Sequence, residues 1–206
     1  MTLRRPRAGF PRVGFGGERG AITIEFVLWL PLLVLWLLAF VSLFSGFTLR
    51  NQAGKAHYAV ADIVSRFETL SGPDVEGLFT LFRALTPMVE GGHRFRITQI
   101  RIVVDDDAVE HEVDWSCAFE TAGAEVVDTL DDDAVPAGLI PTLAHNQRVL
   151  LVQSEVPYAP VFDIADFQSG AFAFDTVVRA RRVAALELRD PGADCAAADL
   201  LDGSVG

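Results

Sequence analysis

The feature that most constrains this chain is an uninterrupted apolar run near its amino terminus. No residue between Phe26 and Phe47 is ionisable. As a helix, this run of about 22 residues is about 33 Å long, enough to cross the hydrocarbon core of a bilayer, which is about 30 Å thick. A secretory signal has a shorter apolar region, about 7–15 residues, and ends in a small-residue cleavage site. Ser42, Ser45 and Gly46 match such a site poorly, so the run predicts a membrane-spanning helix.

The charges on either side of the run predict its orientation. The residues before Ile22 include five arginines opposed only by Glu18, whereas the net charge of the whole chain is −11. Because cytoplasmic flanks are enriched in Arg and Lys, we expect a cytoplasmic amino terminus and an exported acidic remainder. The acidic balance, with Lys55 as the single lysine, excludes a general nucleic-acid binder, which needs clustered cations to displace counterions from phosphate.

The amino-terminal flank of the run places one carboxylate, Glu25, just inside the apolar segment. An ionised carboxylate next to hydrocarbon costs several kcal/mol unless it is paired, so such residues are candidates for function. Gly20 is a small, flexible position where a peptidase could cut. Cleavage between Gly20 and Ala21 would make Glu25 the fifth mature residue, about one helical turn from a new α-amino group. The alternative is that Glu25 only snorkels to the headgroup level.

The arrangement of Arg19 to Phe26 resembles the class III signal of type IV pilins and pseudopilins. The wider stretch GAITIEFVLWLPLL, residues 20–33, is similar to the TadE-like (TadE/TadF) family of minor pseudopilins of tight-adherence (Tad/Flp) pilus systems, and the resemblance covers Arg19 to about Arg66. The resemblance rests on the unbroken apolar run and on four residues within and beside it: Gly20, Glu25, Phe26 and Pro31.

This resemblance implies several expectations about processing and partners. A prepilin peptidase would cut between Gly20 and Ala21 on the cytoplasmic side, and Glu25, with Phe26 beside it, would act in subunit recognition. The implied partners are that peptidase, other pilins and pseudopilins, the inner-membrane assembly platform and membrane lipid. Nucleic acid is not among the expected partners, because of the acidic charge balance. The implied location is the bacterial inner membrane, single-pass, with a periplasmic carboxy-terminal head and an association with the pilus.

Helical periodicity continues beyond the run. After Leu49 an apolar stripe predicts an amphipathic continuation of the helix, packed on a head, up to the breaker Ser71-Gly72-Pro73. A second helix is predicted from Pro73 to Leu85, with Leu85 facing inward. The predicted organisation is a leader (1–20), a membrane helix (21–49), an amphipathic helical region (50–90) and a β-rich head with a carboxy-terminal tail (91–206). The stripe consists of Ala53, Ala56, Val60, Ile63 or Val64, and Phe67.

The period changes to two after residue 93, which predicts strands. In the strand Val109–Phe119 we expect one apolar face, with His111 as a hydrogen-bonded core residue, and one acidic face. The expected fold class is α+β: the amino-terminal helix packed on an antiparallel sheet, as in pilins. The other predicted strands are Arg94–Val104, Gln147–Tyr158 and Phe174–Leu188.

The exported part shows no pattern typical of catalysis, so we expect no enzyme, no cofactor and no metal site. The histidines are scattered, and the runs Asp105–Asp107 and Asp131–Asp133 lack calcium-loop spacing, which favours solvated turns. The basic cluster Arg179–Arg182 is interpreted as charge balance against the acidic strand faces, with a partner-binding role as the alternative. Cys117 and Cys195 are most simply one disulfide in an exported chain; the alternative is a buried free Cys117 and a disordered tail.

Three functions follow from these features. The first is a minor pseudopilin-like component of tight-adherence (Flp-type) pilus assembly that acts through subunit interactions. The second is a signal-anchored envelope binding module unrelated to pili, and the third is a secreted hydrolase behind a signal peptide. The mature amino terminus separates them: Ala21 for the first, Met1 for the second, and a residue beyond Ser42 for the third.

Overall fold

A computed structural model describes residues 18–89, 91–105, 108–122, 128–160, 162, 169–192 and 194–197, with side chains from Glu25 onward. The chain divides into two compact units, Met1–Val41 and Ser42–Gly206. The elements are α1 (Glu18–Val64), β1 (Thr69–Ser71), α2 (Gly72–Leu85), β2 (Arg94–Asp105), β3 (Ala108–Glu120), β4 (Arg148–Tyr158), β5 (Gly170–Val178), β6 (Glu187–Arg189) and β7 (Cys195–Ala197). An apolar amino-terminal helix, a second helix and an antiparallel sheet confirm the α+β class.

Helix α1 ends earlier than its periodicity predicts. The predicted stripe is buried from Ala53 through Val64, but the helix stops at Val64 and not at the Ser71-Gly72-Pro73 breaker. Thr69–Ser71 instead pairs in parallel with β6, more than 100 residues away in the chain. Helical periodicity is a local signal, so it does not reveal that a distant strand extends these residues.

Helix α2 begins in a capping box. The Ser71 hydroxyl accepts a hydrogen bond from the Asp74 backbone N–H, and the Asp74 carboxylate accepts one from the Ser71 backbone N–H. This arrangement satisfies two backbone donors at the helix start. Its buried apolar residues pack into the same core as α1, but Leu85, which we predicted to face inward, is 39% exposed. The buried apolar residues are Val75, Leu78, Phe79 and Phe82.

The five-stranded sheet has the order β5-β4-β2-β3-β7, and all its neighbours are antiparallel. One face packs on α1 and α2 through residues such as Phe95, Ile97 and Val152. On the other face, Ile100, Ile102, Val149 and Leu151 pack against Leu130 and Ile140 from the connection between β3 and β4. The central strands are therefore buried on both faces.

The expected separation of β3 into an apolar face and an acidic face is wrong. Gln99 pairs with Trp115 but Ile100 pairs with Val113, so Asp114 is an extra residue in β3. Such a bulge reverses the faces on which side chains lie beyond it. Trp115 accordingly packs with the helices, whereas Val113 packs on the opposite face.

The supposedly acidic face of β3 also contains buried residues. The Ser116 hydroxyl lies 2.8 Å from the Thr98 hydroxyl and accepts a 2.9 Å hydrogen bond from the Leu130 backbone N–H. Ala118 is only 8% exposed. His111, which we expected in the core, is only half-buried. The segment that contains Leu130 packs on this face. A period-two pattern within β3 does not predict that another segment buries it.

The expected strand Phe174–Leu188 is two separate strands. Strand β5 ends at Val178 and β6 begins at Glu187. Between them, the Leu186 backbone N–H donates to the Gln99 side-chain oxygen (2.7 Å), and the Leu186 carbonyl accepts from the Trp115 indole N–H (3.0 Å). Side chains thus satisfy backbone groups that a continuous strand would pair in a ladder.

Strand β7 is held to β3 by backbone pairing and by a covalent bond. Cys117 lies opposite Cys195 in the register, and their Sγ atoms form a disulfide. The tail that follows, residues 198–206, lies outside the described residues.

Candidate functional site

The most distinctive surface of the first unit is the apolar side of α1. Every side chain from Glu25 to Leu37 is exposed, and only 6% of the most apolar stretch is buried. The core helix of a water-soluble domain buries its apolar side chains, because their exposure to water is unfavourable. Within the described residues, α1 is the one helix long and apolar enough to span a membrane.

Glu25 is exposed on this surface, and it has no hydrogen bond or ion pair with the side chains that the structure describes. Phe26 beside it is 62% exposed. The candidate processing residues Gly20 and Ala21 lie in the first turn of α1, where the structure describes no side chains. Most of the basic leader, residues 1–17, lies outside the described residues. Cleavage after Gly20 and subunit recognition by Glu25 stay predictions.

Two buried histidines in the second unit were missed as core residues. His57 is fully buried, its Nδ1 lies 2.8 Å from the Ser154 hydroxyl, and its ring stacks on Phe174. Burial lowers its pKa to about 4, with the nearby Asp175 carboxylate acting in the opposite direction. The spacing could have revealed it, because position 57 lies four residues after Ala53 on the buried stripe.

His93 is the second buried histidine. Its Nε2 lies 3.0 Å from the Thr86 hydroxyl. Burial lowers its pKa, and the positive charge of Arg83 lowers it further. Each ring has a hydroxyl as its side-chain hydrogen-bond partner, and the described part of the chain contains no cluster of three or more metal-ligating side chains. Both histidines are buried, hydrogen-bonded core residues.

Hydrogen bonds and ion pairs to other parts of the chain engage the charged segments. Asp132 accepts a hydrogen bond from the Val113 backbone N–H, and Asp106 and Asp107 lie outside the described residues. In the basic cluster, Arg181 pairs with Asp62 (2.8 Å) and Arg182 with Glu68 (3.3 Å). For these two arginines the expected charge balance against the strand faces is wrong, because Asp62 lies in α1 and Glu68 lies in the segment that follows it.

A polar groove of about 460 Å³ lies on the outer face of the sheet. Arg94 pairs with Glu155 there, and the Arg96 guanidinium donates to the Gln153 side-chain oxygen (2.8 Å). The cations of the groove are therefore already engaged by groups of the chain itself.

A basic flank, an exposed apolar helix with a carboxylate near the start of its apolar run, and an α+β head define a protein whose described residues include one helix able to span a membrane. Residues 20–62 match the family model described as TadE-like protein. The chain is thus similar to the TadE-like family over its amino-terminal helix, and the predicted resemblance is confirmed for that segment. Comparison with curated proteins and with solved structures gives no match. The family match suggests a Tad pilus-associated protein.

Proposed function

We propose that this protein is a minor pseudopilin-like component of tight-adherence pilus assembly and acts through subunit interactions in the bacterial inner membrane. The observation that carries the proposal is the exposed apolar surface of α1, with Glu25 at its start, inside the matched segment 20–62. A surface of this kind requires lipid or other apolar helices around it. The pilin-like arrangement is supported by the second unit, where α1 from Leu49 to Val64 packs on an antiparallel sheet.

The chemistry of assembly follows from the position of Glu25. A carboxylate beside hydrocarbon is stable as an anion only when a cation or hydrogen-bond donors face it; otherwise burial favours its protonated form. Cleavage between Gly20 and Ala21 would create an α-ammonium group one helical turn away. The Ala21 ammonium group of a neighbouring subunit is then a partner of the right charge at the right depth.

The proposed orientation places the arginine-rich leader in the cytoplasm, where the prepilin peptidase would reach Gly20, and the acidic head in the periplasm. Association of apolar helices in lipid depends on close packing and on interhelical polar contacts. Glu25 would supply the polar contact, and the side chains around Phe26 would supply the packing. The proposed partners are the pilins, the other pseudopilins and the assembly platform.

The substitution Glu25→Ala tests this function. We expect membrane insertion and head folding to stay as in the wild type, and pilus formation and recovery of partner pseudopilins to fall strongly. Glu25→Asp should be intermediate, because the charge survives while its reach shortens. The matched control is Glu76→Ala, which removes an exposed carboxylate from α2 and should leave piliation unchanged.

Normal piliation and unchanged partner recovery with Glu25→Ala would contradict the proposal and identify Glu25 as a headgroup-level residue. An intact mass that retains residues 1–19 in the wild type would favour the signal-anchored envelope module instead.

A further inference from the structure

The head contacts α1 close to the end of the apolar run. The Tyr158 hydroxyl at the end of β4 donates to the Ser42 carbonyl (2.9 Å). A Cβ added at Gly46 would lie 2.9 Å from the Tyr158 ring, so the ring approaches as closely as it does because position 46 is glycine. The Gln52 amide donates to the Leu85 carbonyl at the end of α2 (3.1 Å). The ends of β4 and α2 therefore lie beside α1 between Ser42 and Gln52.

This part of α1 coincides with the expected membrane boundary. A bilayer core takes about 20 helical residues, which, counted from Glu25, places the far boundary near Ser45. Leu43 and Phe47 are 56% and 66% exposed there. Arg50 is exposed one turn further along, where its guanidinium can reach lipid phosphate. Tyrosine is enriched at such boundaries because its ring is apolar and its hydroxyl is polar.

The loop between α2 and β2 presents an apolar side chain beside the same turn. Met88 is 60% exposed, and the Val89 backbone N–H donates to the Thr86 carbonyl (3.3 Å). Met88, Val89 and Tyr158 line a groove of about 530 Å³ together with Leu49 of α1, and none of the described lining residues is charged. We call these residues, with Pro157 and Ala159, the apolar rim of the head.

We propose that the apolar rim rests on the bilayer and takes phospholipid, with Met88 at the boundary between headgroups and acyl chains. The occupant is lipid because the rim is continuous with the apolar run: Tyr158 binds Ser42 inside that run, and Leu49 follows its last residue by two positions. An exposed methionine loses unfavourable water contact when it enters the acyl region. The inference rests on the proposed membrane-spanning helix and adds that the head itself binds lipid.

The test places one nitroxide label at a time on the full-length chain in phospholipid nanodiscs, with the native disulfide intact. Met88→Cys reports on the rim and Leu35→Cys on the middle of the apolar run. Gly77→Cys is the control on α2, where an added Cβ would have no other atom within 4 Å. Electron paramagnetic resonance measures collisions with oxygen, which dissolves in lipid, and with a water-soluble nickel chelate. Ala159→Cys repeats the rim measurement in case a label on Met88 disturbs its loop.

The oxygen-to-nickel collision ratio is expected to be highest at Leu35, intermediate at Met88 and lowest at Gly77. A ratio at Met88 and Ala159 equal to that at Gly77, with Leu35 still in lipid, overturns the lipid-bound rim and leaves the membrane helix standing. Low collision rates with both reagents at the rim indicate a protein contact and also overturn it. Water exposure at Leu35 overturns the membrane helix, and the rim with it.

Discussion

Acid should destabilise the head through His57, whose neutral ring is enclosed between α1 and the sheet. The ring contacts the Ser154 hydroxyl and Phe174, and its Nε2 has no hydrogen-bond partner among the described residues. Protonation would place a positive charge there, with Asp175 as the nearby anion that opposes the effect of burial. Burial outweighs that attraction, because the pKa is lowered to about 4.

The magnitude follows from the difference between the folded and unfolded states. The unfolded chain binds a proton at the ordinary pKa of 6.5, whereas folded His57 does so at about 4. The unfolded state therefore holds more protons between these values, and stability falls as pH falls through this window. One pKa unit corresponds to about 1.4 kcal/mol, so the loss reaches about 3 kcal/mol below pH 4 and is absent above pH 6.5. This is a large share of the typical stability of a domain, about 5–15 kcal/mol.

The assay is urea unfolding of the full-length chain in nanodiscs between pH 7.5 and 4, followed by near-ultraviolet circular dichroism. His57→Gln keeps a polar group near Ser154 but cannot be protonated in this range. Between pH 7.5 and pH 4, the free energy of unfolding of this variant should fall by about 3 kcal/mol less than that of the wild type. Both proteins contain the same carboxylates, so the contribution of carboxylate titration cancels when their free energies of unfolding are subtracted. The control His111→Gln makes the same change at a half-buried histidine of β3 and should follow the wild type. Parallel stability curves for wild type and His57→Gln would refute the reasoning.

Two further predictions concern processing and the disulfide. Gly20→Val should block peptidase cleavage and leave a band about 2 kDa heavier, a difference of about a tenth of the 22.4 kDa chain. The control is Gly77→Val, which makes the same substitution away from the cleavage site. Equal masses for the two variants would contradict cleavage after Gly20. Cys195→Ala opens a loop of sequence separation 78, so the unfolding free energy should fall by about 4 kcal/mol in the chain-entropy model. Alkylation of the non-reduced wild type should label neither Cys117 nor Cys195, and labelling of both would reject the bond in the mature protein.

Much of the helical architecture could be predicted because its signals are local. The apolar run needs no partner for its recognition, since its length alone matches a bilayer. The family resemblance lay in the same stretch, and the match to residues 20–62 bears it out. The start of α2 was predicted within one residue, because Pro73 suits a first helical turn, and the structure begins it at Gly72. The bounds of strand β2 were also predicted within one residue, because the change to a period of two is a local signal as well.

The errors share one physical cause, which is that a distant segment competes with a local preference. The residues Thr69–Ser71 continue a helical pattern, yet they pair with β6. The bulge at Asp114 depends on the register between β2 and β3. The sequence pattern of one strand does not predict that register, because it is a property of the pair. The segment after Val178 leaves the sheet while Leu186 bonds to Gln99 and Trp115.

By itself, the sequence determined one helix long and apolar enough to cross a membrane, a carboxylate near the start of its apolar run, a basic flank and an α+β head. Each of these depends on residue type and short-range spacing. Tertiary structure alone decided which faces of the strands are buried, that His57 lies in the core, and that Tyr158 and Met88 lie beside the end of the apolar run. Those features arise where segments far apart in the chain come into contact. Burial and hydrogen bonding there depend on both segments and not on the local sequence pattern of either one.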